Sequence, residues 1–97
     1  MKLLKACESV RDNLYKCDIE GTLAEYLDET LEVRFIVDFK KEYLHAQVLI
    51  TWGGPTIELD TDNYEIRGWW GTEKVIIPID GTVCQHIDYY ISTNYFY

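Results

Sequence analysis

The feature that most constrains the fold is the alternation of apolar and polar residues between residues 33 and 79, interrupted by turn-forming residues. A period of two is typical of strands that bury one face. Lys40-Lys41, Gly53-Gly54-Pro55, Asp60–Asn63 and Gly71-Thr72 predict turns. Because connections this short join neighbouring strands, the pattern predicts five strands in one antiparallel meander.

Each predicted strand is defined by its own set of alternating residues. For the first strand these are Val33, Phe35, Val37 and Phe39, and for the second Leu44, Ala46, Val48, Ile50 and Trp52. The later strands contribute Ile57 and Leu59, then Tyr64, Ile66 and Gly68, then Val75, Ile77 and Ile79. Pro78 lacks an amide donor, so we expect the fifth strand at an edge or at its own end. One face of the sheet is expected under helices and the other open.

Before the predicted strands, apolar residues recur every three or four positions, which is the spacing of one face of a helix. The first stripe is Leu3, Cys7, Val10, Leu14 and Cys17, and predicts a helix near residues 2–16. Thr22 and Glu25 have the spacing of a capping box, which predicts a second, short helix from Thr22. Its inward side would carry Leu23, Tyr26, Leu27 and Leu31.

A further helix is predicted after the strands, over residues 82–93. Its apolar stripe is Val83, Cys84, Ile87, Tyr90 and Ile91, and Thr82 with Gln85 offers another capping box. The aromatic tail that follows either packs on the domain or marks a contact surface. The whole is expected to be a single α+β domain over residues 1–97, because 97 residues leave no room for two.

Composition restricts the classes of function. The net charge is −8, from 17 acidic and 9 basic residues, which argues against direct binding of nucleic acid or of an anionic membrane. No apolar run is long enough to span a bilayer, and the charged start has no apolar segment behind it, so we expect a cytoplasmic protein. The thiols of Cys7, Cys17 and Cys84 are expected to be reduced and mostly buried, without a disulfide or a zinc site.

Catalytic motifs are absent from the sequence. His45 and His86 lie outside any recognisable catalytic motif, and each is interpreted as a surface or locally hydrogen-bonded residue. The segment beginning at Asp60 does not fit a calcium loop, because Glu65 occupies the place of the required glycine and no glutamate stands at the twelfth position. The glycines form no phosphate loop. We therefore expect no enzyme activity, no metal and no cofactor.

Two features suggest a surface for a partner. Six acids and no base occur between residues 18 and 32, and this acidic row is interpreted either as a solvated face or as a docking surface for a basic partner. Adjacent Trp69 and Trp70 must point to opposite faces of a regular strand, so one of them is expected to be available at the surface. The candidate partner-binding residues are Glu25, Asp28, Glu29, Glu32, Asp60, Asp62, Trp69 and Trp70.

A resemblance supports this interpretation. The segments Thr51–Pro55, Asp60-Thr61 and Ile66–Gly71 resemble a group of small acidic proteins from bacteriophages and other mobile elements. In that group a Trp-Gly-Gly-Pro turn and a Gly-aromatic-Trp-Gly turn bracket a hairpin that precedes a short helix, on which Cys84, Ile87 and Asp88 would lie here. The resemblance covers residues 43–92, and in size and charge such proteins are similar to the phage inhibitors called anti-CRISPRs. It implies no catalytic residues.

The sequence therefore gives two hypotheses about function. The first is a non-enzymatic inhibitor that binds a basic nucleic-acid-binding surface on a host defence protein, such as a CRISPR effector, by acidic mimicry or steric occlusion. The alternative is a structural or accessory protein of a phage or mobile element that self-associates through the aromatic tail and the open sheet face. The chain is accordingly expected to be a monomer or a homodimer.

Overall fold

The computed structural model describes residues 2–96, and its architecture is the predicted α+β arrangement. The N-terminal helices are α1 (Lys2–Glu20) and α2 (Leu23–Asp28). The strands are β1 (Glu32–Val37), β2 (Tyr43–Thr51), β3 (Thr56–Asp60), β4 (Glu65–Trp70) and β5 (Glu73–Pro78). Helix α3 (Gly81–Ile91) follows and continues into a π-helical turn over Ser92–Phe96, which we call the tail.

The five strands form one antiparallel sheet in the order β1-β2-β3-β4-β5, which confirms the predicted meander. Strand β5, which ends on Pro78, is an edge strand as expected. Helix α1 packs on β4 and β5, and α3 packs on β2. The helices therefore cover one face of the sheet, and Arg67 with its acidic neighbours lies on the other.

The apolar stripes predicted for α1 and α3 form the helical side of the core. The buried members are Leu3, Cys7, Val10 and Leu14 of α1 and Val83, Cys84, Ile87 and Ile91 of α3. They pack against residues of the sheet that are also buried, namely Ala46, Val48, Ile57, Leu59, Ile66, Ile77 and Ile79. Burial of this set removes apolar surface from water, which is the main favourable term in folding.

The helix ends differ from their predictions. Helix α1 continues to Glu20 and stops at Gly21, whose φ of +74° is readily adopted only by glycine. Thr22 precedes α2 but its side chain makes no capping hydrogen bond, so the predicted box with Glu25 does not form. At α3 the cap is Asp80, whose carboxylate accepts from the Thr82 amide at 2.7 Å, so the box of Thr82 with Gln85 was also wrong.

The first strand is less buried than its alternation predicts. Val33 packs against the core, but Phe35 and Val37 are exposed, and Phe39 lies beyond the strand end with 92% of its surface exposed. The reason is that β1 is the edge farthest from α1, which packs on β4 and β5, while α3 packs on β2. Leu31, predicted to face inward from α2, is exposed in the bend before β1.

The second strand is irregular at both ends, which overturns part of its predicted pattern. The pairing of β1 with β2 shifts between Ile36 and Val37, and that of β2 with β3 shifts between Leu49 and Thr51. A shift of one residue moves side chains to the other face of a sheet. Leu44 and Trp52, at these two irregular ends, are exposed, and Tyr64 is exposed in the turn before β4.

The three cysteines are free thiols, with Cys7 and Cys84 buried and Cys17 partly buried. Burial, with a smaller contribution from Asp88, raises the pKa of Cys84 to about 12. The thiolate is therefore strongly disfavoured at this position. Across residues 2–96, none of the helices has the length and apolar character that crossing a bilayer requires.

Candidate functional site

A face without Lys or Arg is formed where the end of α1, helix α2 and helix α3 meet. Neither Lys nor Arg occurs in residues 17–33 or 75–97. The fold brings these two segments together, because the His86 Nδ1 of α3 lies 2.7 Å from a carboxylate oxygen of Asp18 on α1. We call the carboxylates and tyrosines of this region the acidic face: Asp18, Glu25, Asp28, Glu29, Tyr89, Tyr90 and Tyr95.

Helix α2 places three of the predicted carboxylates on this face. Glu25 lies in its first turn, Asp28 at its end and Glu29 at its C-cap, and all three are exposed. The hydroxyl of Tyr95 donates a hydrogen bond to Asp28, and the hydroxyl of Tyr90 lies 3.5 Å from the same oxygen. Asp28 therefore joins α2 to the tail, which leaves Glu25 and Glu29 as carboxylates directed outward from a fixed helix.

The hydroxyl of Tyr90 is affected by two of these carboxylates. Burial and the nearby charges of Asp28 and Glu25 raise the pKa of Tyr90 above its ordinary value. A negative charge on the phenol would be repelled by both carboxylates, so the hydroxyl stays protonated and can donate. On the same helix Tyr89 has 74% of its surface exposed. Tyr89 thus offers an exposed aromatic ring on α3, and tyrosine is enriched at binding hot spots.

A groove borders the acidic face between the end of α1 and the start of α3. Its volume is about 470 Å³, and its lining is Tyr15, Asp18, Ile19, Asp80, Thr82 and Val83. The two carboxylates in it are already engaged, Asp18 with His86 and Asp80 with the Thr82 amide. The groove adds an apolar wall to the face, because Ile19 is largely exposed.

Glu32 does not belong to the acidic face. It begins β1 and its carboxylate lies 3.3 Å from the guanidinium of Arg34, so its charge is partly compensated. Glu32 and Arg34 line a small pocket with Leu49, Trp52 and Glu58, residues of β2, β3 and the turn between them. The acidic row of the sequence is therefore divided between two surfaces.

Asp60 is buried, with 1% of its surface exposed, and its carboxylate is fully used inside the fold. One oxygen accepts from the amides of Asp62 and Asn63, and the other from the Asn63 side chain and, at 2.8 Å, from Arg67. Burial alone would raise the pKa of Asp60, but these hydrogen bonds lower it below the ordinary value. Asp60 stabilises the β3–β4 turn, so we remove it from the proposed docking surface.

The two predicted tryptophans occupy different environments. Trp69 lies opposite Thr56 and Lys74, is partly buried, and has the Lys74 ammonium 5.7 Å from its ring centre. Trp70 lies at the end of β4 beside Lys2 and Leu3, with 47% of its surface exposed. Trp70 is thus the more exposed of the pair, and neither ring lies on the acidic face. Trp52, in the turn after β2, is also exposed.

A hydrogen-bond network around Asp88 was not predicted from the sequence. One carboxylate oxygen accepts from the Tyr43 hydroxyl and, at 2.7 Å, from Thr61. The other lies 3.1 Å from His45 Nδ1, and His45 Nε2 lies 3.4 Å from Asp62. Burial and the hydrogen bond to Asp88 raise the pKa of Tyr43. The irregular pairing of β2 with β1 brings Tyr43 close to Asp88. The alternation of apolar and polar residues in the sequence does not predict this contact.

The Asp88 network is interpreted as structural. It joins β2, α3 and the turn after β3 through Tyr43, His45 and Thr61, and Thr61 is fully buried. In the described part of the chain, no buried polar side-chain atom lacks a hydrogen-bond partner. Likewise, residues 2–96 hold no group of three or more His, Cys, Asp or Glu residues arranged to bind a metal ion.

Comparison of the chain with family models, with curated proteins and with solved structures finds no match.

Proposed function

We propose that this chain is a non-enzymatic inhibitor of the phage type, which acts in the cytoplasm of a host cell by binding a basic surface of a defence protein. The surface of the partner would be one that normally holds nucleic acid, as in a CRISPR effector. The single observation that carries the proposal is the acidic face, where two segments without Lys or Arg meet and direct carboxylates outward.

The arrangement of the acidic face suits this role. Glu25 and Glu29 lie four residues apart on α2 and its cap, so they are on one side of the helix. Carboxylates spaced on a fixed backbone would replace phosphates against Lys and Arg side chains of the partner. The net charge of −8 would add long-range attraction and accelerate the encounter. Tyr89 would supply aromatic contact area within the same face.

The alternative hypothesis is self-association through the aromatic tail and the open sheet face. The aromatic tail was a candidate interface, but Tyr95 binds Asp28 and the ring of Phe96 lies 5.3 Å from that of Phe35. These contacts place the tail on the body of the protein. Self-association through the tail would have to displace them.

The experiment that tests the proposal is a competition assay. The immobilised chain is used to capture a partner from a host lysate, and the purified partner is then offered its nucleic acid. We expect the chain to displace the nucleic acid, and the Glu25→Lys/Glu29→Lys variant to displace it poorly. A partner that binds the chain and its nucleic acid at the same time would overturn inhibition by occupancy.

The matched control is a reversal of equal charge away from the acidic face. Asp12→Lys/Glu73→Lys changes two exposed acids, one in the middle of α1 and one in the β4–β5 hairpin. This variant has the same net charge as the test variant. If both variants lose displacement equally, overall charge rather than the acidic face determines binding.

A further inference from the structure

A small pocket lies on the sheet face that the helices leave open, across β1, β2 and β3. We call it the open-face pocket. Its lining comes from these three strands and from Trp52 in the turn after β2. Its volume is about 140 Å³. An engineered cavity of about 150 Å³ in another protein holds one benzene molecule, so this pocket has the size of one six-membered ring.

The floor of the open-face pocket is apolar, and polar groups stand on both of its sides. Leu49 of β2 pairs with Glu32 of β1 and with Glu58 of β3, so the two carboxylates flank the leucine in one row of the sheet. At the usual strand spacing, the Cα atoms of the two glutamates are about 10 Å apart. Leu49 is half-buried between them. A ring lying over Leu49 would therefore meet hydrogen-bonding groups at opposite sides of its rim.

The lining of the pocket offers hydrogen-bond donors and acceptors side by side. Arg34 can only donate, whereas ionised Glu32 and Glu58 can only accept. Gln47 and Thr56, which also line the pocket, can do both. A hydroxyl group donates one hydrogen bond and accepts others, so it can use both kinds of group. The lining therefore suits a ring that carries hydroxyl groups around its rim.

The charges of the open-face pocket are already compensated. The Glu32 carboxylate lies 3.3 Å from the Arg34 guanidinium, and the Glu58 carboxylate lies 2.6 Å from that of Arg67. An ionic ligand would have to compete with one of these pairs. A ligand that carries phosphate would also be repelled by the net charge of −8. These charges favour a neutral ligand over a cation or a nucleotide.

Trp52 gives the pocket an aromatic wall. Its side chain is 74% exposed although it lines the pocket. The turn that carries it is fixed, because the Thr51 hydroxyl donates to the Pro55 carbonyl at 2.7 Å and Gly53 supplies a φ of +94°. The indole has a broad apolar face, against which the C–H groups of a sugar ring can pack. Trp52 thus supplies the apolar contact that a hydroxylated ring needs beside its hydrogen bonds.

We infer that the open-face pocket binds a neutral saccharide, with one pyranose ring above Leu49 and beside the Trp52 indole. The hydroxyl groups of the ring are hydrogen-bonded by side chains of three neighbouring strands, among them Gln47 at the floor. The pocket is separate from the acidic face, so this inference does not depend on the proposed function.

The test is an NMR titration of the full chain with glucose, galactose, mannose and N-acetylglucosamine, each up to about 100 mM, which detects dissociation constants of about 10 mM. We expect at least one of these sugars to give saturable shifts at the pocket, including the Trp52 indole N–H. Trp52→Ala is expected to weaken that binding about tenfold or more. Gln47→Leu keeps the size of the side chain, removes its hydrogen-bonding atoms and is expected to weaken binding about tenfold.

Two controls complete the experiment. Trp70→Ala removes another exposed tryptophan, at the end of β4 beside Leu3, and is expected to leave the dissociation constant within about twofold. Raising the salt concentration from about 0.1 M to about 1 M, which shortens the Debye length from about 10 Å to about 3 Å, is expected to change it no more than that.

Several results would overturn the inference. One is the absence of saturable binding by all four sugars. Another is binding that salt weakens strongly, or that Trp70→Ala weakens as much as Trp52→Ala does. Binding that neither Trp52→Ala nor Gln47→Leu weakens would place the sugar elsewhere on the chain. Occupation of the pocket by free arginine or by uridine, with no sugar bound, would assign it to a different class of ligand.

Discussion

Gly68 of β4 lies directly beneath Cys7 of α1: a Cβ atom at Gly68 would stand 2.5 Å from the Cys7 Sγ. It would also stand 3.0 Å from a methyl carbon of Leu3. The absence of a side chain at this position is what allows α1 to approach the sheet, because real Cβ contacts are not that short. The glycine thus determines the spacing of helix and sheet over which the core is built.

Replacing Gly68 by alanine is therefore expected to destabilise the fold. The methyl group would displace Cys7 and Leu3, both buried, and we expect the free energy of unfolding to fall by about 1–3 kcal/mol. Urea denaturation measures the change. Gly54→Ala is the matched control, since nothing lies within 4 Å of a Cβ there, and it is expected to change stability by less than about 0.5 kcal/mol. Equal stability of Gly68→Ala and the wild type would contradict the packing described.

The buried thiols give a second prediction. Because Cys7 and Cys84 are completely buried and burial raises the pKa of both, we expect a thiol reagent to modify only Cys17 rapidly in the native protein. All three should react at once in denaturant. Cys84→Ser is expected to lower the free energy of unfolding by about 1–3 kcal/mol, because a buried hydroxyl needs a partner. Rapid native labelling of all three thiols would count against this core.

Stability at low pH should depend on Asp60. The pKa of Asp60 is lowered in the folded state. The ionised carboxylate therefore adds to the free energy of unfolding above the unfolded pKa of about 3.9. This contribution is lost as the pH falls through the folded pKa. Asp60→Asn is therefore expected to be clearly less stable than the wild type at pH 7. The difference should shrink as the pH falls below about 4. Urea denaturation at pH 7 and pH 3 measures it, and a difference that is constant with pH would exclude this role.

Thr61 supports the Asp88 network from a fully buried position. Its hydroxyl accepts from the Ala46 amide at 2.9 Å and donates to Asp88 at 2.7 Å. Thr61→Val keeps the shape but leaves the buried Ala46 amide without this acceptor and removes one of the donors to Asp88, and we expect a loss of about 1–3 kcal/mol of stability. Thr72→Val in the exposed β4–β5 turn is the control and should be nearly neutral. A neutral Thr61→Val would show that the network contributes little to stability.

Most of the core could be predicted from the sequence because it depends on local periodicity. The spacing of Leu3, Cys7, Val10 and Leu14 and the alternation of Ile57 with Leu59 each place side chains without knowledge of the rest of the fold. The observed burial differs from the predicted burial where irregular strand pairing moves side chains away from the face that the alternation predicts. The register shift beside Val37 exposes Leu44 and brings Tyr43 to Asp88, and no residue type in that segment signals an irregular pairing.

The candidate site was only partly predictable, because charge position depends on distant contacts. The sequence grouped Glu25, Asp28, Glu29 and Glu32 as one row, whereas Glu32 begins a strand and pairs with Arg34. Asp28 is bound by Tyr95, 67 residues away, and Asp60 is buried by contacts with Arg67. Local residue spacing predicts neither the contact of Asp28 with Tyr95 nor that of Asp60 with Arg67. The acidic character of α2 itself was visible in the sequence.

The association rate of the chain with its captured partner, measured at low and at physiological ionic strength, tests the central claim most directly. For Glu25→Lys/Glu29→Lys we expect association to slow by about tenfold or more at low salt, with little change in dissociation. For the wild type we expect association to slow as salt shortens the screening length to about 8 Å. For the Asp12→Lys/Glu73→Lys control we expect at most a twofold change. Association of the Glu25→Lys/Glu29→Lys variant at the wild-type rate would contradict the proposal that the acidic face binds the partner.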